Sequence, residues 1–123
     1  MPYLNRVTLM GHLTADPEVK ITPAGDSVAT FTLGVNFKGR DGDSRADFFD
    51  CEVWLGWGLN LAKTAKKGSL VLVTGRLKQE QWKDAKTKKT RSRVKVVAER
   101  AFHVEAKYAG KKGEREPEEE VPY

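Results

Sequence analysis

A chain of 123 residues with 39% hydrophobic and 32% charged residues is sized for one domain with a modest core and a heavily charged surface. A single cysteine excludes an intrachain disulfide, no Cys/His cluster suggests zinc or another metal, and no apolar run approaches membrane-spanning length. The net charge of +5 is unevenly shared: residues 113–123 hold Arg115 and five glutamates, −4 in sum, which leaves +9 on residues 1–112. A basic body suggests a polyanionic partner, although a solvated surface with a frayed acidic end explains the composition equally well. Met1-Pro-Tyr-Leu-Asn-Arg6 lacks the basic-then-apolar pattern of a secretion signal, so a soluble cytoplasmic protein is expected.

Apolar residues recur mostly with period two, the spacing of half-buried strands. The first strand is expected at about residues 4–13, with Val7, Leu9 and Leu13 on one face and Arg6, Thr8, Met10 and His12 on the other. A loop through Asp16-Pro17 and Thr22-Pro-Ala-Gly-Asp26 follows. The second strand, about 28–37, puts Ala29, Phe31, Leu33, Val35 and Phe37 in one row. After the polar loop Lys38–Arg45, the third strand covers about 46–55, with Phe49, Cys51, Val53 and Leu55 as its core row. Between Gly56 and Lys67 the period changes, and Trp57, Leu61 and Ala65 mark the buried stripe of a short helix closed by Gly68. Gly58 weakens that helix by about 1 kcal/mol relative to Ala. The fourth strand is expected at about 69–82, a basic turn at Lys83–Thr90, and the fifth strand at about 91–105. From Ala106 on, Lys, Gly, Glu and Pro give the composition of a disordered tail. Five strands with a helix between the third and fourth match the element order of an OB-fold, a small all-β barrel whose face and loops bind oligonucleotides or oligosaccharides.

Three aromatics fall out of phase with the core. Phe48 and Trp54 alternate with Asp50 and Glu52, and Trp82 is in phase with Arg76, Lys78 and Glu80. Packing under loops or in a subunit interface accounts for any one of them as well as binding does. Three together, interleaved with charges on adjacent β elements, favour a stacking platform for unpaired bases. Trp57 lies on the helix's apolar stripe and is expected in the core; Phe37, at a strand end, is open to both readings. Around the three rings lie Arg76 and Lys78, then Arg91, Arg93 and Lys95, the turn lysines Lys83, Lys86, Lys88 and Lys89, and the loop residues Lys38, Arg40 and Arg45. Singly these are solvated surface charges; together they suit a groove that follows a phosphate backbone. No P-loop and no nucleophile–base pattern is present, Cys51 sits in the core row, and no cofactor is implied, so an enzyme is not expected.

Asn5–Leu13, Asp16–Val19, Thr22–Gly25, Ala29–Leu33, Lys67–Leu77, Trp82 and Val96–Glu99 resemble, in collinear order, the bacterial single-stranded DNA-binding proteins. The resemblance implies an OB domain over residues 1–105, a homotetramer, a nucleoid-associated location, and sequence-tolerant wrapping of single-stranded DNA in replication, recombination and repair. It puts Phe48, Trp54 and Trp82 at the family's stacking positions; a further aromatic often contributed by the loop after the second strand has no clear counterpart, Phe37 being the nearest but out of register. It also implies a flexible linker over 106–117 and an acidic partner-binding tip, Glu118, Glu119, Glu120, Val121, Pro122 and Tyr123, with Glu for the usual Asp and Tyr for the usual Phe. The linker spans at most ~40 Å fully extended, short for this family. An alternative from another class is an OB-fold adaptor of replication restart, with the aromatic row as a protein interface; a nuclease is a distant third.

Overall fold

Six strands and one helix arise from the period-two pattern and its single interruption. The computed structural model describes residues 2–104. The order is β1 (Val7–Leu13), β2 (Glu18–Ile21), β3 (Ser27–Lys38), β4 (Ser44–Trp54), α1 (Leu55–Thr64), β5 (Leu70–Lys83) and β6 (Thr90–His103). Strands run β1-β5-β6-β4-β3-β2 across the sheet, and β1 also pairs with β3 through His12–Gly34 and Leu13–Leu33. That second pairing closes β1, β5, β6, β4 and β3 into the five-stranded barrel expected of an OB-fold, with the helix between β4 and β5. The expected linker (106–117), the acidic tip (118–123) and the last residue of the expected fifth strand lie outside the described residues.

Alternation sorts the residues as the barrel requires. Leu33, Val53, Val71, Val73 and Val96 are almost wholly buried, with Leu13, Phe31 and Cys51 beside them, while Val7, Leu9 and Phe49 pack at the margin. The core is tightened at Gly75, where the β5–β6 register slips and Glu99 becomes the extra residue between Ala98 and Arg100. A Cβ on Gly75 would run into the Val97 carbonyl oxygen and the Ala98 backbone. Bulges of this kind let a small barrel turn its corner.

Four expectations are corrected. Glu18–Ile21 forms a strand against β3 rather than a loop; all four residues are exposed, so burial left no periodic signal. Leu55 is not in the core: the chain enters the helix there with φ 59°, breaking the alternation, and its side chain is exposed. The helix ends at Thr64, short of Lys67, because the Lys67 N–H donates to Asp16 Oδ1 (2.8 Å) and the Gly68 N–H to the Leu13 carbonyl (2.8 Å). Trp57 is 39% exposed, not buried. Leu61 and the C-cap residue Ala65 are buried as expected, but Gly58 rather than Trp57 is the buried residue of the first turn.

Close backbone contact explains the burial of Gly58. A Cβ there would stand 2.5 Å from the Val53 carbonyl oxygen and 3.2 Å from the Ala29 Cβ, so the helix backbone rests directly on β3 and β4. Replacing glycine by alanine inside an exposed helix raises stability by up to about 1 kcal/mol. Here Gly58→Ala is expected to lower it by about 1–3 kcal/mol through overpacking. Urea denaturation measures the sign; a variant as stable as the parent contradicts this packing.

Candidate nucleic-acid interface

The outer surface of β3, β4, β5 and β6 brings the three out-of-phase rings together with the charges predicted around them. Cross-strand register sets the neighbours. Phe48 pairs with Gly34, Asp50 with Thr32 and Glu52 with Thr30; on the other side Lys78 pairs with Lys95, Glu80 with Arg93 and Trp82 with Arg91. Strands β4 and β6 join the two halves in parallel, Glu52 beside Val97. Phe48, Trp54 and Trp82 are 64%, 36% and 46% exposed. The Phe48 ring lies over Gly34, where a Cβ would stand 3.2 Å from the ring carbon Cε1. Phe37 is half-buried at the end of β3, opposite Arg45.

Beyond Leu77 and Val96, β5 and β6 leave the barrel as a two-stranded arm. Leu77 and Val94, in core phase, are both exposed there. Trp82 stands near the arm's tip. Asp84 shapes that tip. Its Oδ1 accepts from the Lys86 N–H (2.8 Å) and its Oδ2 pairs with Arg91 Nε (3.0 Å), while Lys88 adopts φ 58°. Lys83, Lys86, Lys88 and Lys89 are exposed around this turn. Lys38 and Arg40 are exposed at the β3–β4 turn, which Asp41 and Arg45 brace by an ion pair of 2.9 Å.

The middle of the face is internally neutralised. Arg93 lies 3.2 Å from Glu80 and 4.0 Å from Asp50, and Lys95 Nζ donates to Glu52 Oε1 at 2.7 Å and also contacts Glu80. Burial disfavours the charge on Lys95, but its hydrogen bonds to the two glutamates outweigh this and hold its pKa above the ordinary 10.5. The Lys95 contact, supported by Arg93, holds Glu80 below its ordinary 4.5. Asp50 also accepts from the Thr32 hydroxyl (2.9 Å), and Glu52 from the Trp54 indole (2.8 Å). Among the described residues, Arg76, Lys78, Lys88, Lys89, Lys38 and Arg40 form no ion pair, whereas Arg91 and Arg93 do. Of the cations predicted around the rings, those open to an external anion therefore lie beside the paired centre, on β5, the arm and the β3–β4 turn.

Sequence reasoning missed two features. Trp57 lines a cleft with Trp54, Leu55 and Asn60, its ring edge-on to Phe102 with centroids 5.1 Å apart. The Glu52–Lys95–Glu80 contacts join three strands whose adjacency no local pattern reveals: pairing of Glu52 with a lysine is expected from its place among the basic residues, but neither Lys95 as that partner nor the link to Glu80 is. Among the described residues no cluster of His, Cys, Asp and Glu is suited to hold a metal. Burial and then the nearby Asp50 push the Cys51 thiol up to about 12, which keeps it protonated and a poor nucleophile near neutrality.

A barrel of this topology with exposed rings on its outer face is an OB-fold protein of the oligomer-binding kind. The family described as the single-strand binding protein family matches residues 4–105. Single-stranded DNA-binding protein 3 of Listeria innocua is 44% identical over 112 residues, 89% of this chain and 69% of the relative. Single-stranded DNA-binding protein A of Bacillus subtilis is 42% identical over 112 residues, 89% of this chain and 64% of the relative. A chain from the solved Plasmodium falciparum SSB complex with ssDNA superposes with a TM-score of 0.74 at 26% identity, covering 85% of this chain and 98% of that one. The chain belongs to the single-strand binding protein family.

The arm's tip carries a pH signature. Backbone N–H groups of Lys86 and Thr87, and then the Arg91 contact, hold Asp84 below its ordinary 3.8. The order this carboxylate gives the turn is complete above pH 3.8 and is lost as pH falls through the lower folded value. The amide NMR signals of Lys86 and Thr87 are expected to titrate with a midpoint below 3.8; a midpoint at or above it removes Asp84 as the organiser of the turn.

Proposed function

We propose that the chain binds single-stranded DNA with little sequence preference, without enzymatic activity of its own. Bases stack on Phe48, Trp54 and Trp82. Phosphates follow the cations Arg76, Lys78, Lys88, Lys89, Lys38 and Arg40, with Arg91 and Arg93 joining where the strand displaces their carboxylates. The observation that carries this reading is the exposure of three large rings on one outer face of an OB barrel. Water-exposed rings of this size are costly to leave uncovered, and every base offers a π face to them. The names of the bacterial relatives and of the solved complex support the same ligand.

The wider role follows from the same reading: protection of exposed strands in replication, recombination and repair, in the cytoplasm at the nucleoid. Recruitment of replication and repair proteins through Glu118, Glu119, Glu120, Val121, Pro122 and Tyr123 completes it. Self-association as a homotetramer is supported by an apolar row on the outer surface of β1, β5 and β6, where Met10 pairs with Leu72 and Leu72 with Phe102. Met10 and Phe102 are 49% and 39% exposed, which suits a subunit contact.

Oligo-dT is expected to bind tightly, quench tryptophan fluorescence and lose affinity with salt at a slope near −0.7 per phosphate contact. Trp82→Ala should weaken binding by about 1–3 kcal/mol. Equal affinity for duplex and single strands contradicts the proposal, and an unchanged Trp82→Ala removes that ring from the site. If the face is instead a protein interface of an adaptor, oligo-dT leaves both tryptophan emission and light scattering unchanged.

A further inference from the structure

Trp54 is held from outside its own ring. Its indole N–H donates to Glu52 Oε2 at 2.8 Å, two residues back on the same face of β4. The other oxygen of the same carboxylate, Oε1, receives Lys95 Nζ from β6 at 2.7 Å. The ammonium in turn contacts Glu80 of β5, and Glu80 also takes Arg93 Nε at 3.2 Å. The side chains of Glu52 and Lys95 are only 13% and 14% exposed, so this contact is shielded from solvent while the ring it steadies is open. A carboxylate with both oxygens engaged has little rotational freedom, and a charge-assisted hydrogen bond is stronger than a neutral one.

From this geometry we infer that Glu52, clamped by Lys95, is a positioning residue that fixes the Trp54 ring in its stacking orientation before DNA arrives. A negative charge in a phosphate-binding face otherwise has no evident use: on electrostatics alone it repels the ligand. The clamp supplies one. Holding the ring still reduces the side-chain entropy lost on binding, which is the general benefit of preorganisation. Lys95 meanwhile screens the carboxylate from the strand. Lys95 and Glu80 belong to the clamp rather than to the phosphate track. The inference rests on the reading of Trp54 as a stacking ring.

The two explanations of Glu52 predict opposite signs. Removing a mere repulsive charge tightens binding, whereas removing a positioning group weakens it. In the full-length protein, Glu52→Ala is expected to weaken oligo-dT binding by about fivefold, part of the value of one stacked base. Glu52→Gln keeps an oxygen that accepts the indole N–H while losing the charge, and is expected to bind at least as tightly as the parent. A second readout needs no DNA. In 15N-labelled protein the Trp54 indole N–H, assigned by its loss in Trp54→Phe, should exchange faster with solvent and move upfield in Glu52→Ala but not in Glu52→Gln. An indole signal indifferent to Glu52→Ala, or tighter binding by that variant, overturns the positioning role. Failure of the stacking reading is seen separately: there Trp54→Ala leaves oligo-dT binding unchanged while the indole signal still responds to Glu52→Ala.

Discussion

Side-chain alternation in a closed barrel decides which residues form the core and which face outward. A five-stranded barrel has a small interior, and Leu33, Val53, Val71, Val73 and Val96 fill it from every strand except β1, which adds Leu13. Each residue between these points outward, whatever its hydrophobicity. Phe48 and Trp54 are therefore forced onto the surface by Phe49, Cys51 and Val53, the residues that interleave with them. The same rule puts Trp82 outside, and the emergence of the β5–β6 arm carries it beyond the barrel wall. Aromatic face and core are two readings of one periodicity, and neither can be shifted by a residue without exchanging them.

The electrostatic plan is subordinate to that geometry. With a formal charge of +5 the chain suits a polyanion, yet the centre of the aromatic face pairs its cations with carboxylates. On the arm and at the β3–β4 turn, Lys78, Lys88, Lys89, Lys38 and Arg40 have no such partner among the described residues. This division suits a ligand whose bases are flat and neutral and whose backbone is charged. In the proposed complex, bases meet rings over ion-paired side chains, and phosphates meet the cations that have no carboxylate partner. There, stacking at about 1–3 kcal/mol per base would supply affinity without reading sequence, and those cations would add the salt-sensitive part.

Much of this was legible in the residues. Five barrel strands and the helix were marked by changes of apolar period, and Phe48, Trp54 and Trp82 by being out of phase with their strands. What escaped had no local signature. Glu18–Ile21 is wholly exposed and so carries no burial pattern. Trp57 looked buried because a helical stripe can be drawn through it, whereas the true face is set by Gly58, a residue whose meaning lies in the strands it touches. Leu55 fitted the strand's alternation, but the positive φ that ends the strand is invisible in a leucine. The central ion pairs depend on a parallel neighbour, β6, more than forty residues away in sequence from Glu52.

In the proposed complex an unpaired strand lies across the face bearing Phe48, Trp54 and Trp82. Photocrosslinking with oligo-dT carrying 5-iodouracil, followed by mass spectrometric assignment of the linked residues, locates the strand. Crosslinks are expected at these three aromatics and not around Met10 and Leu72. Crosslinks confined to the surface around Met10 and Leu72, with the three rings unmodified, contradict that placement of the strand.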